Sequence, residues 1–169
     1  MEWIALATLI LAFASAICGL YQWRYGNKTR RAEFITQIIE KLRFDKEIVE
    51  VMTLVDYGEE TWYDDEFHNG GELEEKIDKL FSYLNHICYL NQNGLLSDKE
   101  IGAFKYELTR VCRSSHAQAY LWNLYHFSKT QDTICSFDNL IMYMRKNTFS
   151  ENENIRFDNP KSKDKRLNF

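Results

Sequence analysis

The sequence is poor in the residues that interrupt helices. Its 169 residues include 7 glycines and 1 proline, and that proline is Pro160, near the C-terminal end. Proline breaks helices and glycine weakens them, so the scarcity of both favours long helices over turn-rich β structure. Strand-like alternation of useful length and internal repeats are also absent from the sequence. These absences predict an all-α protein.

The sequence also lacks the short motifs of several common enzyme classes. It has no glycine-rich phosphate loop, no G-x-S-x-G elbow and no H-E-x-x-H motif. A basic footprint is missing too, because 25 acidic side chains outnumber 21 basic ones and the formal net charge is −4. This balance argues against a general nucleic-acid binder. We therefore predict no catalysis, no cofactor and no nucleic-acid partner.

Charge is absent from one long stretch near the N-terminus. Residues 3–23 read WIALATLILAFASAICGLYQW and contain no Asp, Glu, Lys or Arg. As a helix this run is about 30 Å long, which matches the hydrocarbon core of a bilayer. Trp3 lies at one end and Tyr21 and Trp23 lie at the other, and aromatic rings favour the two membrane–water boundaries. We predict a transmembrane anchor over residues 1–25.

A cleaved signal peptide is the alternative interpretation of this stretch. Signal peptides carry a positive N-terminal region, a short apolar core and a small-residue cleavage site. Here the chain starts with Met1-Glu2, which is acidic, and the apolar run is longer than a usual signal core. Ala14 and Ala16 nevertheless form an A-x-A-like pattern. The flank and the length favour a retained anchor, and the cleavage pattern leaves the alternative open.

Basic residues after the anchor predict its orientation. No Lys or Arg precedes the uncharged stretch 3–23, and the residues that follow this stretch include Arg24, Lys28, Arg30 and Arg31. By the positive-inside rule, the chain after the anchor lies in the cytoplasm and the N-terminus lies outside. We therefore predict a single-pass protein of the bacterial inner (plasma) membrane, with this basic cluster among the lipid headgroups.

Helical periodicity continues through most of residues 26–146, where apolar residues recur at spacings of three and four. The connections are short, which favours antiparallel neighbours, so we predict a cytosolic antiparallel helical bundle of about four to six helices. Gly26-Asn27 leaves open whether the anchor helix continues through residues 24–43 without a break. Periodicity ends in residues 147–169, which we predict to form a polar, disordered tail.

The turn around Gly94 has part of the spacing of a calcium-binding loop. With Gly94 at position 6, the EF-hand register assigns ligand positions to Asn91, Asn93, Ser97 and Glu100. Position 1 is Tyr89, where the loop needs Asp, so the site would hold a single carboxylate. A helix that ends at Gly94, followed by a capping box of Ser97 and Glu100 that starts a helix running to about Arg113, explains the same residues. We predict the turn and no calcium site.

The cysteines do not suggest a disulfide framework. They lie at positions 18, 88, 112 and 135, are widely spaced, and belong to a chain whose expected compartment is reducing. A structural zinc site needs four convergent ligands, whereas His86 and Cys88 face different sides of a helix. We predict buried thiols outside the anchor and no metal site.

Aromatic residues are interleaved with acidic ones between residues 57 and 70. The carboxylates of Asp64-Asp65-Glu66 could serve acid–base or metal chemistry in a pocket, although a solvated loop is the usual meaning of such a run. The rings of Trp62, Tyr63 and Phe67 either pack onto the helical domain or form a partner-binding patch. Both alternatives remain open, and these three residues are the candidate partner-binding site.

The middle third of the chain carries a family resemblance. The stretch LFSYLNHICYLNQNGLLSDKEIGAFKYELTRVCRSSHAQAYLWNL resembles uncharacterised bacterial and phage-associated small single-span membrane proteins. The shared features are a helix, an N-x-G-L-[LI]-[SD]-like turn from Asn93 to Glu100, and a following helix that leads to a Trp-containing helix at Trp122. The resemblance implies a helical cytosolic domain and carries no known activity.

Three functions remain as hypotheses. The first is a membrane-anchored module that binds another protein as a subunit or regulator of a membrane assembly. The second is a membrane-perturbing toxin or phage-defence effector that self-associates through small residues of the span, which are Ala5, Ala12, Ala16 and Gly19. The third is a membrane-proximal, metal-dependent enzyme that uses the acidic stretch. The expected partners are the lipid bilayer, a protein of unknown identity and a second copy of the chain.

Overall fold

The structure, a computed structural model, describes residues 2–57, 62–63, 68 and 70–147. Its helices are α1 (Glu2–Phe44), α2 (Lys46–Tyr57), α3 (Glu72–Gln92), α4 (Asp98–Ile101), α5 (Lys105–Arg113), α6 (Ser115–Thr130) and α7 (Asp138–Lys146). A 3-10 turn, Gly102–Phe104, separates α4 from α5. No strand occurs in the residues described, so the prediction of an all-α chain is confirmed. The predicted tail lies outside the described residues from residue 148 onward.

The chain divides into two compact units, Met1–Glu40 and Lys41–Phe169. The first unit consists of α1 as far as Glu40, and this helix runs unbroken from Glu2 to Phe44. Gly26-Asn27 therefore does not interrupt the helix. A single glycine destabilises a helix by only about 1 kcal/mol, and the residues next to it can adopt a helical conformation. Within the described residues α1 is the one helix long and apolar enough to cross a membrane, a test that a signal sequence near the N-terminus also passes.

The apolar side chains of the first unit are exposed. Large ones that stand out from the helix include Ile4, Leu9, Leu11, Phe13, Ile17 and Leu20. The hydroxyl groups in the same stretch are satisfied within the helix, since Thr8 donates to the carbonyl of Ile4 and Ser15 donates to the carbonyl of Leu11 at 2.8 Å. This half of α1 therefore presents hydrocarbon on all sides.

In the second unit, α3 lies against α2 and α7, while α5 lies against α2 and α6. The core is aliphatic and aromatic, and its fully buried members include Ile48, Ile77, Leu80, Phe81, Leu84, Ile87, Phe104, Leu108, Leu121 and Leu140. The helical spacing of the apolar residues in α3 predicts a buried face, and all seven buried residues of the helix belong to it. The predicted face consists of Leu73, Ile77, Leu80, Phe81, Leu84, Ile87, Cys88 and Leu90. Leu73, predicted to face the core, is instead exposed on the first turn of α3.

Asp45 starts α2 as an N-cap, a position at which Asp is among the preferred residues. Its carboxylate accepts the backbone N–H groups of Glu47 and Ile48 at 3.1 and 3.4 Å. Lys79 on α3 approaches the same carboxylate at 2.8 Å. The hydrogen bond from Lys79 is the main reason why the pKa of Asp45 lies below its usual value. The cap therefore also joins α2 to α3.

The turn between α3 and α4 follows the predicted capping pattern. Gly94 has a φ of +70°, and the backbone N–H groups of Leu95 and Leu96 both bond to the carbonyl of Leu90. Ser97 and Glu100 form a capping box, in which the Ser97 N–H donates to Glu100 at 2.8 Å. The prediction of a capped helix start is confirmed.

The prediction of a single helix from Ser97 to about Arg113 is wrong. The helix stops at Ile101, tightens into the 3-10 turn and resumes at Lys105. Gly102, a weak helix former, lies at the junction, and the tight turn carries Phe104, which is completely buried. Burial of this ring accompanies the local change of helix type.

Two glycines provide a matched test of the backbone at this turn. Gly94 has a positive φ, whereas Gly102 has right-handed helical angles, and an added Cβ meets nothing within 4 Å at either position. Gly94→Ala should lower the free energy of unfolding by about 1 kcal/mol, because alanine disfavours the left-handed region. Gly102→Ala should be neutral or raise it by about 0.5 kcal/mol. Urea unfolding of the full chain in detergent, followed by far-UV circular dichroism, measures both; equal effects would contradict the assigned backbone.

Candidate functional site

The predicted membrane-interface residues all lie on α1. Trp3, Tyr21 and Trp23 are 83%, 72% and 64% exposed, so most of each ring surface is open to the surroundings. The basic residues that follow are exposed as well, and these are Arg24, Lys28, Arg30 and Arg31. Their role at a membrane interface stays a prediction, and the exposed rings and charges are the features that such a role requires.

Two residues of the predicted partner-binding patch are buried. Trp62 is 7% exposed and Tyr63 is 4% exposed. The ring of Trp62 lies 5.7 Å from that of His116, and the ring of Tyr63 lies 5.5 Å from that of Tyr120 in an edge-on contact. Both rings thus pack onto α6, which favours the packed alternative for them. Phe67 and the acidic run 64–66 lie outside the described residues, and partner binding by this patch stays a prediction.

A buried polar network, which the sequence analysis missed, surrounds Tyr63. The Tyr63 hydroxyl lies 3.2 Å from His68 Nε2, and Asn123 donates its side-chain N–H to the same hydroxyl. His68 Nδ1 lies 2.9 Å from Glu74 Oε1, while Glu74 Oε2 accepts the Gly70 N–H at 2.8 Å. These contacts fasten the segment that precedes α3 to both α3 and α6.

A second carboxylate lies one helical turn beyond Glu74. Asp78 accepts a hydrogen bond from the Tyr120 hydroxyl, and the His68 ring stacks on the Tyr120 ring at 5.4 Å. Burial raises the pKa of Asp78, although the Tyr120 hydrogen bond opposes this effect. Burial and the bond to Asp78 together raise the pKa of Tyr120 well above its usual value. Each of these polar groups is thus paired with another side chain.

The network has the residue types of an acid–base site and the geometry of a structural one. A histidine bonded to a carboxylate is a familiar general base. Here, however, the His68 side chain is only 5% exposed, and its two ring nitrogens already face Tyr63 and Glu74. A substrate would have to displace one of these partners. The arrangement therefore supports a role in holding the fold together. No spacing rule could have found it, because Tyr63 and Asn123 are 60 positions apart.

Two charge pairs connect α5 to other parts of the second unit. Arg110 pairs with Asp56 on α2, and Arg43 pairs with Glu107 at 3.0 Å. The Glu107 residue is buried, and removing a charged group from water is costly unless an opposite charge is paired with it. These pairs fix how α5 is placed within the unit.

The cysteines outside the predicted anchor are buried thiols, as predicted. Cys88, Cys112 and Cys135 are buried and unoxidised, and Cys18 is exposed on α1. Burial raises the pKa of Cys88 to about 12, so its reactive thiolate form is scarce at neutral pH. In the portion that the structure describes, no group of three or more His, Cys, Asp or Glu side chains is arranged to hold a metal ion.

An apolar groove lies between α2 and the first turn of α3. It has a volume of about 400 Å³ and is lined by Glu50, Val51, Thr53, Leu54, Tyr57 and Leu73. Tyr57, at the end of α2, is 77% exposed, and its ring stands beside the groove with little cover. The misassigned Leu73 thus forms one wall of a surface feature. Aromatic residues such as tyrosine are enriched at protein–protein interfaces.

Comparison of the chain with protein-family models, with curated proteins and with solved structures gave no match.

The ionisation of Asp78 is expected to make the free energy of unfolding depend on pH. Because burial raises its folded pKa, the folded chain binds this proton more tightly than the unfolded chain. Ionisation of Asp78 therefore costs stability as the pH rises from the usual Asp range through the folded pKa. Asp78→Asn keeps an acceptor for Tyr120 and cannot ionise. The free energy of unfolding of this variant, relative to wild type, should increase as the pH rises from acid to neutral.

Urea titrations of the full chain in detergent at several pH values measure this difference. Glu75→Gln, which removes an exposed carboxylate from the same helix, is the matched control and should show a flatter difference. A difference for Asp78→Asn that falls with rising pH would show that ionised Asp78 is favoured by its surroundings.

Proposed function

We propose that the chain is a single-span membrane protein whose helical domain binds another protein, as a subunit or regulator of a membrane assembly. In this proposal residues 1–25 are the retained anchor, the N-terminus lies outside, and the domain is an antiparallel bundle of about four to six helices in the cytoplasm. The observation that carries the proposal is the exposed, uncharged stretch of α1 over residues 3–23.

Energetics support the membrane part of the proposal. Full removal of one large apolar side chain from water is worth about 1.5–3 kcal/mol. The stretch exposes a series of such side chains together with Trp3 and Trp23, so its transfer to hydrocarbon is favourable by many times the thermal energy. The backbone groups are bonded within the helix, as a bilayer requires. Basic residues on the C-terminal side alone support the orientation.

The groove supports the interaction part of the proposal. Its walls are the apolar residues Val51, Leu54 and Leu73, and Tyr57 offers a ring of the kind enriched at interface hot spots. The polar groups of the network around His68, by contrast, are already bonded to one another. A partner that places an apolar anchor residue in the groove would bury these walls against it.

Membrane insertion is tested by adding charge to the span. Leu11→Lys together with Phe13→Lys places two cations near its centre, at a cost of about 3 kcal/mol each on insertion scales. Asn27→Lys together with Thr29→Lys adds the same charge beyond the span. Vesicle flotation after alkaline extraction should recover the wild type and the control with the lipid and leave the span variant behind.

Two results would contradict the anchor. One is a mature chain that starts near residue 17 by intact-mass measurement, because that result identifies a cleaved signal. The other is flotation of the span variant to the same extent as the wild type.

Partner binding at the groove is tested by paired alanine substitutions. Leu54→Ala with Tyr57→Ala should reduce recovery of a stoichiometric partner in mild detergent by tenfold or more, since hot-spot truncation costs about 2 kcal/mol. Tyr89→Ala is the control, because Tyr89 is exposed on α3 and does not line the groove. Circular dichroism checks that both variants stay folded. Undiminished recovery with the groove variant would exclude this surface.

A further inference from the structure

Four side chains at the C-terminal end of the apolar stretch and just beyond it share one face of α1. Tyr21, Arg24, Tyr25 and Lys28 follow one another at spacings of three, one and three residues, which places them side by side along the helix. Together with Asn27 they line a shallow recess of about 370 Å³. At 3.6 residues per turn, Arg30 falls on the opposite face. Arg24 and Lys28 therefore lie on one face of α1, and Arg30, which carries the same charge, lies on the opposite face.

The recess is positively charged and has no internal counterion. Arg24 and Lys28 are exposed, and neither forms a salt bridge with any residue in the described ranges. No Asp or Glu occurs between residues 3 and 32, so the sequence supplies no acidic neighbour within one helical turn of either cation. Such a pair attracts an anion, and a guanidinium binds a phosphate through two parallel hydrogen bonds.

The position of the recess along α1 selects the source of that anion. Arg24 and Lys28 follow Trp23, the last ring of the span, by about 1.5 and 7.5 Å at 1.5 Å per residue. The headgroup layer on each side of a bilayer is about 5–8 Å thick. This step rests on the proposed membrane span. Both cations then lie within the headgroup layer, and the two tyrosine rings lie at the level where the glycerol backbone meets the acyl chains.

We propose that Tyr21, Arg24, Tyr25 and Lys28 form a binding site for the phosphodiester of an anionic glycerophospholipid. Arg24 donates to the phosphate oxygens, Lys28 adds a second positive charge one turn further on, and the two rings pack against the glycerol and upper acyl carbons. A zwitterionic lipid brings its own ammonium group, which both cations repel, so the site discriminates by headgroup charge.

The test uses the full chain in detergent, titrated with phosphatidylglycerol or phosphatidylcholine, and counts bound lipid by native mass spectrometry. Phosphatidylglycerol should bind more tightly. Each cation contributes about fivefold, so Arg24→Gln or Lys28→Gln should weaken phosphatidylglycerol binding about fivefold and the double variant about 25-fold. Arg30→Gln removes the same charge from the opposite face and should change binding by less than about twofold.

Four outcomes would overturn the inference. An equal loss in Arg30→Gln would mean a diffuse attraction without a site. Displacement of the lipid by an equal concentration of soluble glycerol phosphate would mean that the anion comes from solution. A wild-type chain that floats with vesicles yet shows no headgroup preference would sink the lipid site and leave the membrane anchor standing. Failure of the wild type to float would instead remove the anchor, and the lipid site with it.

Discussion

The N-terminal half of α1 exposes a large apolar surface for which water is a poor solvent. This constraint limits the environments in which the helix is stable. The stretch offers a hydrocarbon surface in every direction around the helix, with rings at both ends and cations on one side only. A soluble monomer rarely exposes so large a contiguous apolar surface. A lipid phase satisfies this surface and also suits the internally bonded backbone, so the proposed location, orientation and lipid contacts follow from one helix.

The second unit depends on polar cross-links as well as on its core. Arg110 with Asp56, Arg43 with Glu107, and Tyr120 with Asp78 each connect side chains that are distant in sequence. Breaking a buried pair leaves an uncompensated charge, which costs more than the intact pair contributes. The pairs therefore disfavour alternative placements of the helices that a purely apolar core would tolerate.

Local sequence patterns predicted those structural features that depend on interactions between residues close together in the chain. The apolar faces of the helices, the Asp45 cap, the Gly94 turn and the box formed by Ser97 and Glu100 all depend on residues a few positions apart. The 3-10 turn escaped prediction because the burial of Phe104 and the low helix propensity of Gly102 act together there, and only the first depends on tertiary packing.

The parts that could not be predicted are those made by residues far apart. The setting of Tyr63, its bond from Asn123 and its contact with His68 depend on how α6 meets the segment before α3. The groove escaped for a similar reason, since the helical pattern counted Leu73 as a core residue and the packing of α2 left it at an edge. Composition identified the class of fold, and tertiary contacts determined which aromatic rings remain accessible.

The hydroxyl groups of the span have a consequence for assembly. Thr8 and Ser15 each donate to a carbonyl one turn earlier in the same helix, so their donors are already used. Hydrogen bonds between helices often stabilise the association of transmembrane segments. These two hydroxyl groups could donate such a bond only after breaking the bond within their own helix. Between Thr8 and Ser15, lateral pairing of two such helices would therefore depend on van der Waals contact. In the proposed membrane anchor, association of copies would therefore depend on such contacts or on the second unit.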